Sequence, residues 1–255
     1  MATTVRRAPS GGLNVRSTAA GTKVVTLNEG DLMYEISGVS KVTKSLNGTS
    51  YEWVKVHYYH SSTKPATEGN GWVTTQHATV ISTTTPSMSD TLFSNSYLKQ
   101  HEMLTNARYV YNYLKNKGWS SNAIYGMLGN MEAESTINPG VWYNLKSTDT
   151  TKAYGIVQWK PSTKLTKWLK AENKSDTIAN QLKRILYEVE NDEQWQSSKH
   201  SPSIDFKEFT TSTDTCSVLA EYFLRCYEAP GNESSKVSER QSNANKWAKL
   251  IGYLK

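Results

Sequence analysis

Residues 121–135 read SNAIYGMLGNMEAES, and this stretch decides the reading of the chain. It opens on Ser, a residue that favours helix starts, and runs into Asn138-Pro139-Gly140, which stops a helix. At about 100° per residue, Ile124, Met127, Leu128 and Met131 form one apolar face of a helix. Glu132 and Glu134 flank that face on opposite sides, about 200° apart, so they cannot face each other across one substrate as an acid and base pair. Gly126, Gly129 and Ala133 form a small-residue side against which another element can pack closely. Periodicity does not choose between the two glutamates.

Helical spacing continues on both sides. YLKQHEMLTNARYVYNYLKNKG (97–118) ends on Lys115, Lys117 and Gly118, a basic last turn and a glycine stop. DTIANQLKRILYEVEND (176–192) places Ile178, Leu182, Ile185, Leu186 and Val189 on one face. DTCSVLAEYFLRCYEAPG (214–231) is stopped by Pro230 and Gly231, and 235–255 closes the chain as another helix. Only YNLKSTDTTKAYGIVQW (143–159) interrupts this run, as a hairpin or irregular excursion.

Towards the start the pattern is that of strands. KVVTL (23–27), DLMYEI (31–36), YEWVKVHYY (51–59) and GWVTT (71–75) are rich in Val, Tyr, Trp and Thr, and NEGD, SLNGTS and TEGNG between them carry turn residues. A polar stretch, STTTPSMSD (82–90), reads as a linker. The expected fold class is therefore multidomain, a small all-β barrel or sandwich followed by a mainly α domain with a short β-hairpin. Domains are expected at 1–81 and 96–255, with a linker at 82–95.

Composition sets outer limits. With 255 residues, 37% hydrophobic and 20% charged, the chain is ordinary globular material rather than disordered. Its net charge of +6 favours an acidic partner, and anionic wall polymers fit it as well as nucleic acid does. No basic-aromatic stripe points to nucleic acid, and no apolar run approaches the roughly 20 residues that span a bilayer. No signal peptide is read at the start of the chain. Cys216 and Cys226, ten residues apart on one helix, stand about 15 Å apart and read as free core thiols rather than a disulfide. Neither has the setting that activates a peptidase thiol. No Cys or His pair has metal-ligand spacing, so neither a metal nor another cofactor is expected.

Two resemblances sharpen this reading. The first module, through GLNVRS (12–17), GTKVVTLNEGDLMYEI (21–36) and the closing EWVKVHYY and GWVTT, resembles a bacterial SH3-like cell-wall domain. That resemblance implies a barrel that holds an enzyme on peptidoglycan. The second, through IYGMLGNMEAESTINPG, AYGIVQW, IANQLKRILYEVE and LAEYFLRCYEAPG, resembles the phage-tail lysozyme family. It implies a lysozyme-like fold in which Glu134, in Glu134-Ser135, is the general acid and the glycine-glutamine strand Tyr154–Gln158 lines a saccharide groove. Glu132 reads as a structural acid.

The chemistry is consistent with that assignment. Protonating a glycosidic oxygen near neutral pH requires a carboxyl shielded enough to keep its proton, as at the end of a nearly apolar helix. A second carboxylate is less defined. Hen-type lysozymes place an aspartate directly before the matching strand, where this chain has Ala153. Asp149 is the candidate to activate a water in an inverting geometry, and the competing reading makes it a turn cap. Tyr154 and Gln158 are candidates to bond sugar or water, and Trp142, Tyr143, Trp159 and Tyr227 to contact the saccharide, against the plainer reading of each as packing or backbone support.

The expected function is a peptidoglycan hydrolase cutting between N-acetylmuramic acid and N-acetylglucosamine. The alternatives are a lytic transglycosylase leaving 1,6-anhydro ends and a wall-binding protein without turnover. Expected partners are bacterial peptidoglycan and anionic wall polymers, with no nucleic acid and no membrane insertion; the oligomeric state is left open. The enzyme would be made in a host cytoplasm and act on the wall after release, as an endolysin, or ride in the virion.

Overall fold

The computed structural model describes residues 3–146, 149–230 and 233–255. Residues 147 and 148 of the excursion and Gly231 of the helix stop lie outside the described residues. An all-β region is followed by a helical one. Two compact units are present, the first running to Thr84 with Lys99–Glu102 and Lys249–Lys255, the second comprising Thr85–Leu98 and Met103–Ala248.

In the first unit the strands are β1 (Val5–Arg7), β2 (Leu13–Arg16), β3 (Lys23–Leu27), β4 (Leu32–Glu35), β5 (Val42–Leu46), β6 (Thr49–His60), β7 (Thr67–Thr74) and β8 (Thr79–Val80). They pair antiparallel in the order β3-β2-β7-β6-β4-β1-β8, with β5 on β6. The long β6 organises the sheet, pairing β5 through its first residues and β4 and β7 through the rest. Asn47-Gly48 closes the β5–β6 hairpin in two residues, both at positive φ (51° and 80°), the geometry that Asn-Gly favours. Leu13, Val15, Leu27, Met33, Val54, Val56 and Val73 fill the core.

The expected strands are present, but TEGNG is not a turn. Residues 67–71 lie inside β7, paired to His60 through Val56. Gly69 and Gly71 sit there because a Cβ would meet the Tyr58 hydroxyl at 2.6 Å and Val15 Cγ1 at 2.2 Å. They permit close approach within a strand rather than a reversal of the chain.

The helical unit is built on α2 (Ser121–Ser135), with α1 (Gln100–Lys115) before it and α3 (Thr163–Ala171), α4 (Ile178–Glu190), α5 (Phe206–Thr211), α6 (Cys216–Phe223) and α7 (Val237–Gly252) after it. Ser120, Thr177, Asp205 and Thr215 cap α2, α4, α5 and α6 with their side chains. Ala123 to Met131 is buried without interruption, so α2 is a central helix rather than an amphipathic one. Its two glycines admit different neighbours. A Cβ on Gly126 would lie 2.8 Å from Ala220 N of α6, and one on Gly129 would lie 2.4 Å from Arg240 O of α7.

Helices α3 and α5 were not anticipated, both being short. The helix expected through Cys226 changes at Leu224 into a π turn, Leu224–Glu228, that ends at Ala229 in the left-handed region. Both cysteines are free and buried. On α4, Ile178, Leu182 and Ile185 are buried as expected, whereas Leu186 and Val189 are only partly so. Gln181, Arg184 and Glu188 complete the buried face instead.

Candidate active site

Glu134 and Ser135 occupy the last turn of α2, which ends because Thr136 and Ile137 both turn to positive φ. Ser135 is fully buried, and its hydroxyl donates to Ile156 O at 2.8 Å. That bond fixes the end of the helix against the Tyr154–Gln158 segment. Glu134 retains partial exposure, and its Oε1 accepts from Arg240 Nη2 of α7 at 2.6 Å. Arg240 is almost wholly buried and also donates from Nη1 to Glu239. Glu132 pairs with a different α7 cation, Lys246. The two glutamates are thus held separately.

The excursion after α2 is closed by single bridges, Trp142 to Tyr154 and Tyr154 to Trp159, rather than by a regular hairpin. Gly155 (φ 88°) makes the tight turn, Ile156 N donates to Gln181 Oε1 at 2.9 Å, and Gln181 Nε2 donates to Pro139 O and Asp176 Oδ1. A buried α4 glutamine therefore sets the path of the loop.

The predicted site residues separate into two groups. Tyr154, Trp159 and Tyr227 are buried with their polar atoms engaged: Tyr154 OH donates to Asp176 at 2.7 Å, and Trp159 Nε1 and Tyr227 OH donate to the two oxygens of Glu188 at 2.8 and 2.6 Å. They lie under the loop because aromatic rings with one polar atom suit a core that supplies an acceptor. Gln158 Nε2 donates to Val141 O and Gly155 O, which is backbone support. Trp142, its ring centroid 4.3 Å from that of Tyr154 at a 31° tilt, and Tyr143, half exposed, keep aromatic surface open. Asp149 is exposed, and its Oδ1 accepts from Thr151 N and Oγ1 at 2.9 and 2.8 Å. Those bonds hold its carboxyl below the usual carboxylate range, as in a turn cap.

Reading the sequence missed the supporting acids and cations. Burial pushes the Glu188 carboxyl up, opposed by the Tyr227 hydroxyl, the Arg184 charge and the Trp159 bond; Arg184 also donates from Nε to Glu188. Burial likewise raises Asp176 against bonds from Gln181 and Tyr154. Gln181, Arg184 and Glu188 carry a local signal, polar residues at helical spacing within one buried face. Arg240 carries none, since its meeting with Glu134 spans 106 residues. Glu228 is raised well above its ordinary value by burial and then by the charge of Glu134. Among the described residues, no three His, Cys, Asp or Glu side chains converge as metal ligands. Nor is any described helix long and apolar enough to cross a membrane.

The phage tail lysozyme family model matches residues 105–251, more than half of the chain, and the chain belongs to that family. Among its relatives, morphogenesis protein 1 of Bacillus phage B103 is 48% identical over 158 residues, covering 62% of this chain and 42% of the relative's length.

Proposed function

We propose that this chain is a peptidoglycan hydrolase that cleaves the β-1,4 bond between N-acetylmuramic acid and N-acetylglucosamine, with Glu134 as general acid. The observation that carries the reading is the buried Ser135 to Ile156 bond, which fixes the acid-bearing turn against the Tyr154–Gln158 loop at 2.8 Å. A general acid must be held at a set place relative to the bond it protonates, and this clamp supplies the positioning. Trp142 and Tyr143, with open ring surface, would stack on pyranose faces. Tyr154, Gln158, Trp159 and Tyr227 would act from beneath, by shaping the loop.

The all-β region, residues 1–81, would serve as an SH3-like wall-binding module, joined through 82–95 to a catalytic domain at 96–255. The name of the phage B103 relative favours a virion-associated enzyme over a free endolysin. The net charge of +6 suits anionic wall polymers as partners.

A second reading, lytic transglycosylation, is favoured by one feature. Ala153 stands where hen-type lysozymes carry an aspartate, and the Asp149 carboxylate is engaged by Thr151 in its own turn. Mass spectrometry of digested sacculi separates the two. Reducing N-acetylmuramic acid ends are expected from the wild type and none from Glu134→Gln; 1,6-anhydro ends would overturn hydrolysis, and undiminished cleavage by Glu134→Gln would overturn the assignment of the acid.

A further inference from the structure

We infer that Asn95 is a positioning residue for the saccharide, acting through the turn that carries Trp142 and Tyr143. This rests on the reading of those two rings as saccharide platforms.

That turn needs an outside hold. Tyr143–Leu145 is a single 3-10 turn in which Leu145 N donates to Trp142 O at 2.9 Å. Within it Asn144 and Leu145 both sit at positive φ (57° and 58°), a region that asparagine tolerates and leucine rarely enters. Backbone strained in this way persists only where its surroundings over-determine it. Tyr143 N donates to Ala153 O at 3.0 Å, which ties the middle of the turn. Asn95 supplies the remaining hold: its Oδ1 accepts from Trp142 N at 2.9 Å and its Nδ2 donates to Leu145 O at 2.7 Å. One planar amide thus closes both ends of the turn, with Tyr143 and Asn144 between its two bonds.

Asn95 can do this because its own backbone is anchored. The sequence pattern puts it in a linker, yet residues 92–98 are laced to the end of α2 by polar side chains. Asn138, fully buried, accepts from Ser94 N at 3.1 Å and donates to Ser94 Oγ and Ser96 O at 3.0 and 2.7 Å. Asn106 of α1, also fully buried, bonds Leu92 N and Leu92 O at 2.8 and 2.9 Å and donates to Ile137 O. Thr136 Oγ1 accepts from Leu98 N at 2.9 Å. Gly140 comes so near the segment that a Cβ there would lie 2.8 Å from Ser94 O. Buried amides engaged on both their atoms specify one geometry. The segment is therefore a fixed strap on the helix end that bears Glu134, and Asn95 reaches from it to the aromatic turn.

Asn95 is exposed, so its two bonds add little to overall stability. What they fix is where the rings stand. Stacking on a pyranose depends on ring placement and is kept in the transition state as in the ground state. Loosening the turn should therefore weaken binding and spare turnover. Asn95 itself need touch no sugar; it acts through Trp142 and Tyr143.

The test is KM and kcat on solubilised wall glycan fragments, with melting recorded beside them. Asn95→Ala is expected to raise KM about three- to tenfold, while kcat stays within about twofold and melting is nearly unchanged. An unchanged KM overturns the inference, and so does a fall in kcat with KM unmoved. The substitution is also made in the Trp142→Ala, Tyr143→Ala double variant, where it should add nothing because the rings it places are gone. A further rise in KM of the same size there overturns the inference as well, since the effect would not pass through the rings. A wild-type KM for the double variant alone would instead reject the saccharide reading of the rings, a separate failure seen without touching Asn95.

Discussion

Ser135 Oγ lies 2.8 Å from Ile156 O, with both groups buried, and this bond joins the end of α2 to the loop beside it. The hydroxyl also reaches Met131 O at 3.2 Å. Ser135→Ala removes the donor and leaves a buried carbonyl unpaired, at a cost of about 1–3 kcal/mol. Melting should drop by a few degrees, since about 1 kcal/mol moves a domain of this size by roughly 2–4 °C. Wall lysis at 25 °C, where the variant remains folded, should fall further than stability explains. Unchanged lysis would remove the clamp from the catalytic account.

Asp149 gives the opposite expectation. Its carboxylate is exposed and bonded to Thr151 two residues on, and those bonds keep it ionised at lower pH than usual. A lowered carboxylate contributes its stabilisation above its ordinary pKa and loses it as pH falls. Asp149→Asn should therefore leave melting near neutral pH almost unchanged, and lysis should persist. A loss of lysis as large as that of Glu134→Gln, with normal melting, would make Asp149 the residue that activates water.

Tyr227 and Glu188 yield a prediction with a pH signature. Burial raises Glu188, and the Tyr227 hydroxyl at 2.6 Å opposes that rise. A carboxyl raised on folding contributes stability below its unfolded pKa and loses it as pH climbs through the folded value. Tyr227→Phe removes the opposing bond, raises Glu188 further and leaves one oxygen unpaired. The variant should be destabilised by about 1–3 kcal/mol at pH 7 and by distinctly less near pH 4.5. Thermal melts at the two pH values check this, and an equal loss at both would mean that Glu188 does not titrate in the window.

Much of this was legible because it is local. The α2 cap, the place of Glu134 at the end of α2, the Asn47-Gly48 turn and strands β3, β4 and β6 each follow from a few adjacent residues. Features set by distant neighbours were not legible. Gly69 and Gly71 look like turn residues until Tyr58 and Val15 are placed against them. The buried acceptors of Tyr154, Trp159 and Tyr227, which are Asp176 and Glu188, lie 22 to 39 residues away and leave no local trace. Arg240 has no signature near Glu134, because α7 meets α2 only through tertiary packing.

That packing offers the last prediction. Gly129 brings α2 against the α7 backbone, where a Cβ would lie 2.4 Å from Arg240 O and 2.8 Å from Ala244 N. Backbone atoms cannot swing aside as the tip of a side chain can, so Gly129→Ala must push the helices apart. Overpacking of this kind costs about 1–3 kcal/mol, even though alanine favours the helix itself by up to about 1 kcal/mol. The displacement falls on the residue whose guanidinium holds Glu134. Lysis should consequently drop further than the loss of stability explains, because the Arg240 to Glu134 distance changes. Gly126→Ala provides the control. Its Cβ would meet Ala220 and Leu219 of α6, so it should destabilise to a similar degree while leaving the Arg240 contact in place. If both variants lose lysis beyond their loss of stability to the same extent, the effect belongs to general loosening of α2 and not to the α7 contact.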